Sequence, residues 1–135
     1  MSLIRWPAVL LGFAVAALLG MLLGTAARQL GGVQNPGTLA SLEFFALVAG
    51  GYVAGRVAGQ VGVMQGVAVA VIFILVAASI KAWWEIDLAS RFGPQVLGPM
   101  DMGGLILGDL VHLFGACVGG WLADLQRPGL ERHRP

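Results

Sequence analysis

Four stretches of mostly apolar sequence constrain this chain more than any other feature, because roughly 20 such residues are what a helix needs to cross the hydrocarbon of a bilayer. They cover residues 7–27, 38–57, 62–80 and 103–123. None alternates apolar with polar residues at period two, which argues against barrel strands and for helices that satisfy their own backbone groups. Composition agrees: 58% of residues are apolar and 11% charged, less than half of the charged share of about 25% in a soluble domain. The expected fold is therefore all-α and integral to a membrane, a single domain over residues 1–135 with four transmembrane helices.

Charge and cysteine usage exclude several functions. A net charge of +1 with scattered arginines provides no basic stripe, so no nucleic-acid partner is expected. One cysteine makes no internal disulfide and no Cys-rich metal site. No nucleophile–base pair, phosphate loop or paired catalytic carboxylates are present, so the sequence predicts no enzyme, no catalytic residues and no metal.

The connections differ in length. Residues 28–37 (RQLGGVQNPG) read as a polar turn with Thr38 as N-cap of the second helix. Almost nothing separates the second and third helices, which makes them antiparallel neighbours. Residues 81–102 form the long connection, where Trp84, Leu88 and Phe92 recur every four residues beside Glu85, Asp87 and Arg91. That pattern predicts a short helix lying in the membrane interface, ended by Gly93-Pro94 and Gly98-Pro99. The first stretch superficially resembles a secretory signal, but its length exceeds the 7–15 residues of such an apolar region, and it is expected to be a permanent helix.

Lysine and arginine placement sets the expected orientation. With both termini on one side, that side holds Arg5, Arg56, Arg127, Arg132 and Arg134, against Arg28, Lys81 and Arg91 on the other. The excess places the termini in the cytoplasm. Trp6 and Trp121 then mark the inner interface, and Trp83 and Trp84 the outer one. Arg56 closes the second helix, where a cation suits the helix C-terminus and reaches lipid headgroups.

Helices in lipid associate through close packing at small residues, since lipid tails are as apolar as leucine. Gly12, Ala16, Gly20 and Gly24 fall four apart in the first helix, and Ala46-Gly50-Ala54-Ala58 runs beside Gly51-Gly55-Gly59 in the second. The third carries Gly62, Gly66 and Ala70; the fourth carries Gly104, Gly108, Ala116 and Gly120 with Gly115, Gly119 and Ala123 alongside. Glycine is common in membrane helices generally, but abundance does not explain alignment, so the ladders are read as packing faces of a glycine-packed bundle. An internal repeat is also visible. Glu43-Phe44-Phe45 and Gly50-Gly51-Tyr52-Val53-Ala54 align without a gap on His112-Leu113-Phe114 and Gly119-Gly120-Trp121-Leu122-Ala123. Two readings stand, chance similarity among Gly-rich helices or duplication of a helical hairpin about an axis along the membrane normal.

The run Gly50-Gly51-Tyr52-Val53-Ala54-Gly55-Arg56-Val57-Ala58, with Gly62 and Gln65-Gly66 after it, resembles the segment between the second and third helices of small, uncharacterised four-helix bacterial inner-membrane proteins of unknown function. The Gly119-Gly120-Trp121 close of the last helix is similar to theirs. The resemblance covers about a third of the chain and implies a topology; it implies no chemistry.

An ionisable group inside a membrane helix is a functional candidate by default, and there are three: Glu43, Asp109 and His112. Glu43 shares a stripe with Leu47, Gly51 and Gly55; His112 shares one with Gly104, Gly108, Ala116 and Gly120. At about 1.5 Å per residue, Glu43 and Asp109 lie about 7 and 9 Å below their helix starts and His112 about 13 Å. For Glu43 the alternative to a function is an acid favoured by the helix dipole at the interface. Asp109, three residues before His112, is expected to be its hydrogen-bonded partner. A divalent metal site or proton relay from all three, or a haem or chlorophyll on His112 with Gly108 leaving room, are the sharper alternatives; otherwise no cofactor is implied. Cys117 reads as a small packing residue.

Two functions are consistent with these features. The favoured one is an accessory, structural or assembly subunit of a larger membrane complex, with lipid and other membrane-protein subunits or a homo-oligomer as partners. The other is an oligomeric channel or proton-linked transporter using Glu43, Asp109 and His112.

Overall fold

The computed structural model describes residues 4–29, 31, 36–59, 61–99 and 101–127. Four helices succeed one another: α1 (Trp6–Gln29), α2 (Pro36–Ala58), α3 (Gly62–Phe92) and α4 (Met102–Leu125), with one 3-10 turn at Pro94–Val96. Among the described residues there is no strand. All four helices are long and apolar enough to cross a membrane, so the chain has the fold of a four-span membrane protein.

Two boundaries differ from the sequence expectation. The second helix starts at Pro36, so Thr38 sits inside its first turn instead of capping it; a proline, which has no amide hydrogen, fits the first turn of a helix. The larger correction concerns residues 81–102. No separate interfacial helix forms there, and α3 instead continues without a break through Lys81 to Phe92, giving 31 residues. Nothing between residues 81 and 92 breaks a helix, and the Lys81–Glu85 and Arg91–Asp87 pairs at i, i+4 support it. Gly93, at φ 86°, ends it in a conformation that suits glycine. At 1.5 Å per residue α3 is about 46 Å long, against about 30 Å of hydrocarbon, so it extends past the apolar layer. Asp101 then starts α4 as a side-chain cap, accepting from the Gly104 N–H at 3.0 Å.

The helices alternate in direction, which puts the starts of α1 and α3 and the ends of α2 and α4 at one end, here the terminal end. α2 packs on α1, α3 and α4, while α1 also touches α3 and makes no contact with α4. An axis relating the first hairpin to the second would bring α1 against α4 as it brings α2 against α3, and the described residues lack that contact.

Every buried residue among those described lies in the terminal half. These are Ala8, Val9, Gly12 and Ala16 in α1, and residues within 46–58 of α2, 62–70 of α3 and 115–123 of α4. The largest fully buried side chains are Leu47, Gln65, Val9 and Val69; the rest of this interior is glycine and alanine. There the backbones nearly touch. A Cβ added at Gly12 would come within 2.5 Å of the Gly50 carbonyl oxygen, and one at Gly50 within 2.5 Å of that of Gly12. A Cβ at Gly51 or Gly66 would fall on the Ala116 carbonyl, one at Gly119 on that of Val48, and one at Gly120 on that of Gly62. Gly55 approaches the Ala123 methyl and Gly62 in the same way.

The other half of each ladder behaves differently. A Cβ at Gly24 or Gly108 would meet nothing within 4 Å, one at Gly20 only the Ala46 methyl at 3.9 Å, and one at Gly104 only the Asp101 side chain of its own cap.

Candidate functional site

The three intramembrane candidates do not converge. His112 Nε2 lies 3.1 Å from Glu43 Oε2, joining α4 to α2. The His112 side chain is 15% exposed and that of Glu43 45%. One hydrogen lies between Nε2 and the carboxylate, and the second ring nitrogen, Nδ1, takes no part in that bond. That Nδ1 is buried and has no partner. The Phe73 ring of α3 stands edge-on to the imidazole, centroids 5.4 Å apart, and fixes its third side.

This corrects the expected pairing of Asp109 with His112. Asp109 is exposed and makes no such bond. Its position three residues before His112 gave proximity along α4, but α2 also packs against α4 and supplies a better-placed carboxylate. The alternative of a three-residue metal site does not assemble either: among the described residues no group of three or more His, Cys, Asp or Glu could hold a metal ion. A macrocycle on His112 would have to displace Glu43 from Nε2 or reach the buried Nδ1. There is open space beside Gly108, where a Cβ would meet nothing within 4 Å.

Asp109 and one edge of His112 instead line a cleft between the far halves of α3 and α4. Its lower part, about 430 Å³, is walled mostly by Ile74, Ala77, Ala78, Leu105 and Gly108. The upper part, about 640 Å³, shares Lys81, Glu85, Gly104 and Leu105 with it and reaches the Val96–Pro99 turn and Asp101. Lys81 and Glu85 are 3.9 Å apart and more than a third exposed, a loose pair that leaves both able to meet another group.

At the terminal end a second polar cluster ties the bundle together. The Asp124 carboxylate of α4 accepts the Gly62 N–H at 2.8 Å and the Val63 N–H at 3.3 Å. It thereby caps α3, whose own N-cap residue Val61 offers no side-chain bond. Arg127 pairs with Asp124 at 3.2 Å and also donates to the Gly55 carbonyl. Buried Gln65 accepts the Arg5 N–H at 3.2 Å, and Arg56 donates to the Gln126 carbonyl at 3.2 Å. Neither Asp124 nor Gln65 has an expected role from the sequence. A signal for Asp124 existed: a carboxylate in the last turn of a helix opposes the helix dipole, so it calls for an outside partner such as the positive start of another helix.

The tryptophans are exposed at both ends, Trp6 and Trp121 toward the terminal end and Trp83 and Trp84 toward the other. Arg132 and Arg134 lie outside the described residues. Comparison with protein-family models, with curated proteins and with solved structures finds no match to this chain.

Proposed function

We propose that this chain is a non-enzymatic accessory or structural subunit of a larger complex in a bacterial inner membrane, held together by close glycine approach and oriented with its termini in the cytoplasm. The observation that carries the reading is the interior itself: closely approaching backbones, alanine methyls and a few larger side chains such as Leu47 and Val69 fill the terminal half, which is the build of a packing core and not of a conduit. Only 22–28% of the most apolar window of each span is buried within the chain. Part of the remainder packs half-buried against this core, and the exposed part is surface for lipid and for other subunits. Arg5, Arg56 and Arg127 gather at the terminal end, which supports a cytoplasmic placement for it.

A second reading, a proton-linked transporter, draws on the Glu43–His112 contact between α2 and α4. It is weakened by Asp109, which faces the cleft and not this pair.

Extraction in mild detergent tests the first reading. Stoichiometric co-purification with larger membrane subunits is expected, whereas a lone homo-oligomer with pH-dependent flux in vesicles would replace it with the second. Reporter fusions after Arg127 and within residues 93–99 should report opposite sides, cytoplasmic for the first; the reverse would overturn the orientation.

A further inference from the structure

We infer that the cleft between α3 and α4 is a binding site for one phospholipid with a primary-amine headgroup. The inference needs only the membrane-spanning fold and is independent of which complex the chain joins.

The cleft changes character along its length. Its upper part holds Lys81 and Glu85 beside the Val96–Pro99 turn; its lower part is walled mainly by alanine, glycine and aliphatic carbon down to the level of His112. The upper part is the larger and the relatively more polar of the two, though aliphatic carbon lines most of both, and that is the order of polarity of a lipid, headgroup above chain. Depth agrees. Trp83 and Trp84, both exposed, lie within one turn of Lys81 and Glu85, and exposed tryptophans of a membrane helix sit at headgroup level.

The charges select the headgroup. Side chains lean toward the N-terminus of their helix, so Lys81 on α3 and Asp109 on the oppositely directed α4 lean toward one another's level. Asp101 is committed to its cap on Gly104. That leaves one ammonium, Lys81, and two carboxylates, Glu85 and Asp109, around the open space. Lys81 suits the lipid phosphate, while the two carboxylates suit an ammonium. A primary ammonium has three N–H donors to share between them; a quaternary one has none. A phosphoglycerol headgroup brings no positive charge to the carboxylates. The chain then lies along Ala77, Ala78 and Gly108, where a Cβ at Gly108 meets nothing within 4 Å. Asp109, otherwise an unpaired acid in a membrane helix, gains the counter-charge that such a residue calls for.

The test offers the purified full chain an equimolar mixture of dioleoyl phosphatidylethanolamine, phosphatidylcholine and phosphatidylglycerol and counts bound lipid by native mass spectrometry. One phosphatidylethanolamine should be retained in preference to the other two. Lys81→Ala and Asp109→Asn should each weaken it about fivefold, the effect of one charged contact at a membrane surface. Gly108→Leu, which fills the slot with every charge intact, should abolish retention, and Leu18→Ala on α1 should leave it unchanged. Equal or stronger retention of phosphatidylglycerol would overturn the proposal, as would variants that hold phosphatidylethanolamine like the parent. If Gly108→Leu does not fold, the two charge variants decide.

Discussion

The same glycine spacing runs through both halves of α4, yet the two halves have different surroundings. At Gly119 and Gly120 the neighbouring backbone is so close that no side chain fits, and at Gly115 a Cβ would crowd Phe44 at 3.0 Å; at Gly108, seven residues before Gly115, there is open space. α1 repeats the contrast, with Gly12 against Gly50 and Gly24 against nothing within 4 Å. Spacing therefore sets which residues share a face, while the crossing of the helices sets where along that face they meet. The difference is reinforced by polar groups. Asp124, Arg127, Gln65 and Arg56 tie helices together at the terminal end, whereas the far half has one interhelical side-chain bond, Glu43 to His112, among the described residues.

Filling the close contacts should do the most damage. Gly51→Leu or Gly120→Leu drives a side chain into the carbonyl of Ala116 or Gly62, and overpacking of this kind costs about 3 kcal/mol. Both variants are expected to melt far below the parent in detergent; a parental melt for both would mean that these faces separate freely.

Asp124→Ala comes next. It removes the cap from Gly62 and Val63 and leaves Arg127 without its carboxylate, and loss of a cap costs about 1 kcal/mol. Increased amide exchange at residues 62–66, with little change in the far half of α3, is the expected pattern. Uniform exchange along α3 would deny that the end is held separately.

A smaller effect is expected at the polar pair. His112→Gln keeps a hydrogen-bonding side chain opposite Glu43, and an interhelical hydrogen bond in a membrane is worth about 0.6 kcal/mol. The variant should assemble and melt slightly lower, and the protein should carry no visible absorption band that this change removes. A coloured protein bleached by it would restore the macrocycle reading.

Asp109→Asn should have the least effect on the fold, because the carboxylate is exposed and bonds to no neighbour across the bundle. A melt lowered as much as in Asp124→Ala would show that Asp109 does structural work after all.

The same regions differ in how legible they are in the sequence. Four helices are read from apolar runs, because hydrocarbon thickness fixes their length. The end of α3 is not. Residues 81–92 combine a helical period with charges, a pattern shared by a helix lying on a membrane and by one projecting from it. The choice between the two turns on whether a breaker stands just after Ile80, and none does. His112 stands out by its chemistry, but its partner is misassigned because sequence spacing reports neighbours on one helix and says little about the helix packed alongside. Asp124 shows the reverse: its misfit with the dipole of its own helix is written in the sequence, while the amides that satisfy it belong to α3, some sixty residues away.

The division of the molecule into a tight half and an open half is tested most directly by the smallest possible side chain. Gly119→Ala and Gly108→Ala differ from the parent by one methyl each, on one helix, and thermal unfolding in the same detergent compares them. The account predicts that Gly119→Ala, whose methyl meets the Val48 carbonyl and lies 2.8 Å from the Tyr52 nitrogen, melts well below the parent. Gly108→Ala should melt at or above it, since alanine in a helix gains about 0.5–1 kcal/mol over glycine. Equal melting of the two variants, or a larger loss at residue 108, would contradict the account.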